Sequence, residues 1–421
     1  MAVVGAGWAG LAAAVHARRL GHEVTVFEMS AQLGGRARAV QVHGLELDNG
    51  QHILIGAYRA TLELMSLVGA DATALLHRMP LALQFPDGSG LRLANGRPLI
   101  AFVWGVLRCS GWRWRDRITL LGTAGLWALK GFRCDQGTSV AQLCAGLPLA
   151  VRASLIDPLC VAALNTPADT ASASVFLRVL RDALFSGPGS ADLLLPRGSL
   201  DTLLPQPAAT WLQSHGVAVQ RAARVMAVQP QGDCWQVDDA GFDQVILACT
   251  ATEAARLCTS VAPQWAAKAA ALHYEPIVTV YARCDGARLA APMIALHAGS
   301  SAPAQFVFDL GALGGRQGLF AFAVSGAREW VDKGLSATAQ ATLAQAESAF
   351  AAGTWPSGLR LVHVAAEKRA TFQCTPGLDR PPAQIAPGLL AAGDYVQGPY
   401  PATLEGAVLA GRHAASLLPP A

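Results

Sequence analysis

Apolar and polar positions along this chain change period several times, and the change is sharpest at the start. Ala2-Val3-Val4 is a short apolar run of the kind a buried strand uses. Leu11-Ala12-Ala13-Ala14-Val15 begins a helical stretch that Gly21 ends, and Glu23-Val24-Thr25-Val26-Phe27-Glu28 alternates as a strand does. Gly5-Ala6-Gly7-Trp8-Ala9-Gly10 lies between the first strand and the helix. The order predicts a βαβ unit of Rossmann type. Gly5 permits the turn, Gly7 lets backbone approach a pyrophosphate, and Gly10 lets the helix pack closely on the strand, with the helix N-terminus facing the phosphates. Glu28 stands where a ribose diol is hydrogen-bonded. Three spaced glycines alone also fit an ordinary turn; the flanking strands, helix and acid favour the dinucleotide reading.

Farther on, the pattern from Tyr58 to about Ala191 is mostly helical, with Leu62, Met65, Leu67 and Val68 setting an early apolar stripe. Pro196-Arg197-Gly198-Ser199-Leu200 opens a helix that Gly216 ends, and Val217 to Leu247 reads as strands with turns at Gln231-Gly232 and Ala240-Gly241. Ile277 to Ala366 returns to β patterning, and the glycines from Gly311 to Gly318 read as a hairpin between apolar strands rather than as a second nucleotide loop. Leu389-Leu390-Ala391-Ala392-Gly393-Asp394 is a strand ending in Gly-Asp, and the prolines of Pro399-Tyr400-Pro401 open a terminal helix. The predicted fold is α/β: a Rossmann-type domain in three segments (1–57, 196–260 and 386–421), interrupted by a mostly helical substrate-domain insertion (58–195) and a β-rich segment of the substrate domain (261–385).

Composition narrows the partners. With 421 residues, 52% hydrophobic and 14% charged, the chain is expected to fold into more than one subdomain with extensive burial. A net charge of +3 without a basic tail argues against nucleic acid. Nine cysteines in no Cys-x-x-Cys pair fit a reducing compartment, and ten histidines in no ligand-like spacing predict no metal site. No run is long and apolar enough for a membrane span, and Met1 leads straight into the first strand, so a cytoplasmic location is expected, with membrane contact only at the surface of the inner face. Trp104, Trp112, Trp114 and Trp127 among six basic residues between Phe102 and Arg133 fit either such a surface or the core of the helical domain.

Leu33-Gly34-Gly35-Arg36-Ala37 puts a glycine pair and an arginine just past the ribose acid, where an extended dinucleotide requires close backbone approach and a counter-charge. The segment resembles that of the flavin-containing amine oxidase and carotenoid desaturase superfamily, which implies FAD as cofactor. The resemblance extends the cofactor site to Gly5, Gly7, Gly10, Glu28, Gly34, Gly35, Arg36, Gly50, Val225, Gly393, Asp394, Thr403 and Leu404. Covalent attachment is not expected, because no cysteine follows Cys374. Asp48 to Tyr58, Glu367-Lys368-Arg369-Ala370-Thr371-Phe372 and the Gly393–Gly411 ending resemble the hydroxysqualene dehydroxylase branch. That implies reductive removal of the hydroxyl from a C30 isoprenoid alcohol, hydroxysqualene, to give squalene for hopanoid synthesis, with a separate electron donor for FAD. On this reading His52 is a proton donor, a flavin contact or a structural histidine, and Glu367 and Lys368 either orient the hydroxyl or form an ion pair at a strand end. A polyene desaturase, an amine oxidase and a non-catalytic flavin-bound lipid carrier remain as alternatives.

Overall fold

The computed structural model describes residues 1–420. Strand β1 (Ala2–Val4), helix α1 (Trp8–Arg19) and strand β2 (Thr25–Phe27) form the expected βαβ unit. β1 is central in a six-stranded sheet ordered β3 (Ala218–Gln220), β2, β1, β4 (Val245–Leu247), β6 (Leu389–Ala391) and β5 (Gln384–Ala386). All neighbours are parallel except the β5–β6 edge pair. Residues from the first, middle and last parts of the chain therefore share one sheet. Its central strands are apolar at every position because both faces are covered, as a parallel sheet requires.

Beside it stands a five-stranded antiparallel sheet in the order Met293–Ala295, Phe306–Asp309, Leu319–Val324, Tyr274–Arg283, Arg360–Phe372. The two-residue alternation of the long strand sorts its side chains: Tyr281 joins the main core, while Val278, Val280 and Ala282 pack under the helix Leu335–Ala349. The hairpin at Gly311–Gly318 joins two paired strands. The helix Leu335–Ala349 was not predicted. Its alanine-rich sequence has high helix propensity, but it lies in a region dominated by strand patterning.

The helical insertion contains α2 (Pro98–Arg108), α3 (Trp114–Leu129) and α4 (Ala173–Phe185), together with short strands at Leu76–Met79, Ala82–Gln84 and Gly90–Arg92 that the helical reading missed. Two further boundaries differ from expectation. The second turn of the middle β meander lies at Asp238-Asp239, with Ala240 and Gly241 inside the next strand; Asp238 takes a left-handed φ of 49° and its carboxylate caps the backbone N–H groups of Met226 and Ala227. The helix expected to open near Ser199 starts at Pro205, because Leu200–Thr202 is a separate 3₁₀ turn held by the Asp48 carboxylate at the Leu200 N–H.

Helix α5 (Leu404–Ser416) closes the nucleotide domain by lying on α1. Gly411 makes that approach, since a Cβ there would stand 2.1 Å from the Ala9 carbonyl oxygen. The helix begins later than the prolines indicated. Pro399 and Pro401 precede it, and Thr403 is its cap, accepting from the Gly406 N–H at 3.0 Å.

Candidate active site

The glycine turn leaves no space for a side chain at Gly5 or Gly10. Gly5 has a φ of +107°, and a Cβ there would sit 2.7 Å from the Ala248 carbonyl oxygen; one on Gly10 would sit 1.8 Å from the Gly5 oxygen. Gly35 faces Gly7 so closely that its Cβ would lie 3.2 Å from the Gly7 Cα, leaving a bare backbone floor. Gly7 is the N-cap of α1 and offers no side-chain bond, and no acid occupies the first turn, so the free N–H groups and the dipole face outward for an anion. Buried Glu28 accepts from the Ala6 N–H at 2.7 Å and the Ser30 N–H at 2.8 Å, which ties the end of β2 to this turn.

A second group comes from segments far apart in sequence. The Arg36 guanidinium donates to Asp394 Oδ1 at 2.6 Å and to the carbonyls of Ala370 at 2.6 Å and Arg369 at 3.1 Å. Burial works against its charge, but the Asp394 carboxylate outweighs that and raises the arginine pKa. Asp394 follows Gly393, at which a Cβ would collide with the Tyr395 ring. Asn49 donates to the Arg36 carbonyl at 3.3 Å and to Glu367 Oε2 at 3.2 Å, so Glu367 faces this group. Lys368, its strand neighbour, is exposed and forms no ion pair among the described residues. The ion pair at a strand end is therefore absent: adjacent residues of Arg360–Phe372 point to opposite faces. Val225 is buried beside the sheet, and its carbonyl accepts from Arg256 at 3.0 Å. Leu404 packs against the core that encloses α1.

Gly50 takes a φ of +147°, and its carbonyl lies 2.8 Å from His52 Nδ1. A carbonyl only accepts, so Nδ1 carries the hydrogen and Nε2 of the neutral ring is left as an acceptor. Burial lowers the pKa of the ring, opposing the imidazolium.

The tyrosines gather where sequence spacing gave no sign of it. Tyr274 and Tyr395 lie near Asp394, and Tyr58 lies near Thr403, Tyr400 and Glu405. Burial raises all four phenol pKa values, Tyr274 and Tyr400 to about 12, so each retains its O–H as a donor. The Tyr395 hydroxyl is buried without a partner, and the Tyr400 hydroxyl donates to Asp182 of α4 at 2.5 Å. Only the fold brings Tyr58 to Tyr400 and Tyr274 to Tyr395; no local motif marks them.

A family model for flavin containing amine oxidoreductases matches residues 8–418. The chain belongs to this family. It is an FAD-dependent oxidoreductase, and the bare glycine floor, the uncapped end of α1 and the unpartnered Tyr395 hydroxyl fit a bound dinucleotide. The hydroxysqualene dehydroxylase of Rhodopseudomonas palustris is 29% identical over 99% of this chain and 97% of its own length, and that of Zymomonas mobilis is 27% identical over 99% and 98%. An oxidoreductase structure from Methanosarcina mazei superposes with a TM-score of 0.74 at 16% identity over 99% of each chain, which shows the shared fold.

Proposed function

We propose that this flavoenzyme removes the hydroxyl of hydroxysqualene reductively to give squalene. The observation that carries the reading is similarity over nearly the full length of relatives named for that reaction. The overall change replaces a C–O bond by a C–H bond and releases water, consuming a hydride and a proton. Reduced FAD supplies the hydride when bound, and a separate donor restores its two electrons.

The chain's own groups then have definable tasks. Gly5, Gly10 and Gly34 allow the close backbone packing of the turn, Gly7 and Gly35 would leave the pyrophosphate room, Glu28 would meet the adenosine ribose, and Arg36 with Asp394 braces the first and last segments of the site against each other. Val225, Gly50, Gly393, Thr403 and Leu404 shape the rest of the cradle. His52 delivers the proton to the departing hydroxyl only as the imidazolium, a form that burial makes scarce, so proton supply should limit the rate near neutral pH. Glu367 holds Asn49 in place, and Lys368 is exposed, with no ion pair among the described residues to aim it at the hydroxyl.

Anaerobic mixing of photoreduced protein with hydroxysqualene tests the proposal. Flavin should be oxidised in step with squalene appearing by mass spectrometry. Reduced flavin that persists would overturn dehydroxylation, and oxidised flavin that is instead reduced as a C–C single bond of an isoprenoid chain becomes a double bond would replace it by desaturation.

A further inference from the structure

Helix α3 presents an apolar face to the outside. Its sequence carries no charge from Ile118 to Leu129, yet only Leu120 and Trp127 are buried. Trp114, Ile118 and Leu126 fall on one stripe at helical spacing, exposed by 59%, 54% and 58%, and Leu129 at the end is exposed by 86%. Ile100 and Trp104 on α2 add a second exposed pair at the same four-residue step. A water-facing helix ordinarily carries its charges on the outer side, so this face is inverted.

The charges lie at the ends of the stripe instead. Arg108, Arg113, Arg115 and Arg117 gather at one end and Lys130 and Arg133 at the other, with Asp116 the single acid from Arg97 to Arg133. None of them is in an ion pair among the described residues. The Arg108 guanidinium lies 5.3 Å from the Trp104 ring centre and that of Arg117 lies 5.9 Å from Trp114. The four tryptophans divide accordingly: Trp112 and Trp127 are core residues, Trp112 donating to Ser154, whereas Trp104 and Trp114 face out beside arginines.

We infer that the outer face of α2 and α3 rests in the interface of an anionic bilayer. An apolar stripe with tryptophans at its edge and basic residues at both ends matches the acyl boundary below and lipid phosphates around it. A second copy of the chain would bring the same uncompensated arginines against one another, which makes it the poorer occupant. The helix lies on the surface rather than across it: no helix among the described residues is long and apolar enough to cross a membrane. Contact continues inward, because α2 packs on α4 and Asp182 of α4 accepts from Tyr400, which precedes the cap of α5. The inference needs only this surface and is independent of which substrate the enzyme uses.

Flavin-loaded wild type and Ile118→Glu/Leu126→Glu would be sedimented with vesicles of phosphatidylcholine alone and of phosphatidylcholine with phosphatidylglycerol, with solution mass measured by light scattering. The wild type should bind the anionic vesicles about tenfold more than the neutral ones and lose much of that excess at high salt. The double variant, with its flavin spectrum unchanged, should stay in the supernatant, and Arg115→Gln/Lys130→Gln should lose only the preference for anionic lipid. A wild type that ignores both vesicles, or a double variant that sediments as the wild type does, overturns the inference. So does a wild-type dimer that the double substitution converts to a monomer without any vesicle binding, because a second copy then covers the face.

Discussion

Arg36 and Asp394, 358 positions apart, meet at 2.6 Å and fasten the start of the nucleotide domain to its end. The same guanidinium holds two carbonyls of the strand Arg360–Phe372. Removing it strands a mostly buried carboxylate, so Arg36→Ala should lower unfolding stability by about 2–4 kcal/mol in urea titration and release FAD more readily. Arg36→Lys should recover only part of the loss, since an ammonium cannot reproduce the planar fork. Full recovery by lysine would show that charge alone matters here.

Glu28 binds two backbone N–H groups even without a ligand, so its substitution affects both the turn and the cofactor. Glu28→Gln turns one amide N–H₂ toward a backbone donor and keeps one acceptor, whereas Glu28→Ala loses both. FAD retention should weaken by roughly 1.5–3 kcal/mol in the alanine variant and by less in the glutamine variant. Ultrafiltration followed by absorbance of the freed flavin measures it, and FAD should leave the denatured wild type intact. Equal retention in all three proteins would remove Glu28 from the site.

For His52 the ring pKa lies below its ordinary value, and the form that can give a proton from Nε2 is the protonated one. Single-turnover oxidation of reduced flavin by hydroxysqualene should therefore speed up as pH falls, about tenfold per unit while the pH stays above the ring pKa. His52→Ala should bind FAD, lose this pH limb and run roughly 10²-fold slower at the acid end. A variant with the same profile as the wild type would make His52 a structural residue.

What the sequence disclosed was local. Gly5, Gly7, Gly10 and Glu28 lie within one βαβ unit, where strand period, turn glycines and terminal acid constrain each other over a few residues. Arg36 with Asp394, Tyr58 with Tyr400 and Tyr274 with Tyr395 depend on contacts between distant segments, and no periodicity encodes those. Trp112 and Trp114 are two positions apart, yet Trp112, just ahead of α3, donates inside the core and Trp114, its first residue, faces out, because which side chains are covered depends on the neighbouring elements and not on local composition. At Asp238-Asp239 the left-handed conformation was taken by an aspartate whose carboxylate caps nearby N–H groups, so the glycine at position 241 misplaced the turn.

Asp48 gives the sharpest pH test. It is largely buried, and desolvation raises its pKa from 3.8 to about 7, with Asp201 and Glu46 adding to the rise and the Leu200 N–H partly offsetting it. Because the folded state holds this proton more tightly than the unfolded chain, the stability linked to it is present below about pH 4 and is lost as pH rises through about 7. An amide in place of the carboxyl group is neutral throughout, and its oxygen can still accept from Leu200. Asp48→Asn should thus be more stable than the wild type by roughly 2–4 kcal/mol near pH 8, with the difference shrinking toward zero near pH 4. Urea titrations of both proteins, loaded with FAD, at the two ends of that range measure the difference directly. A gap of the same size at both ends would mean that the substitution acts through packing, and that the carboxyl group is not the one titrating.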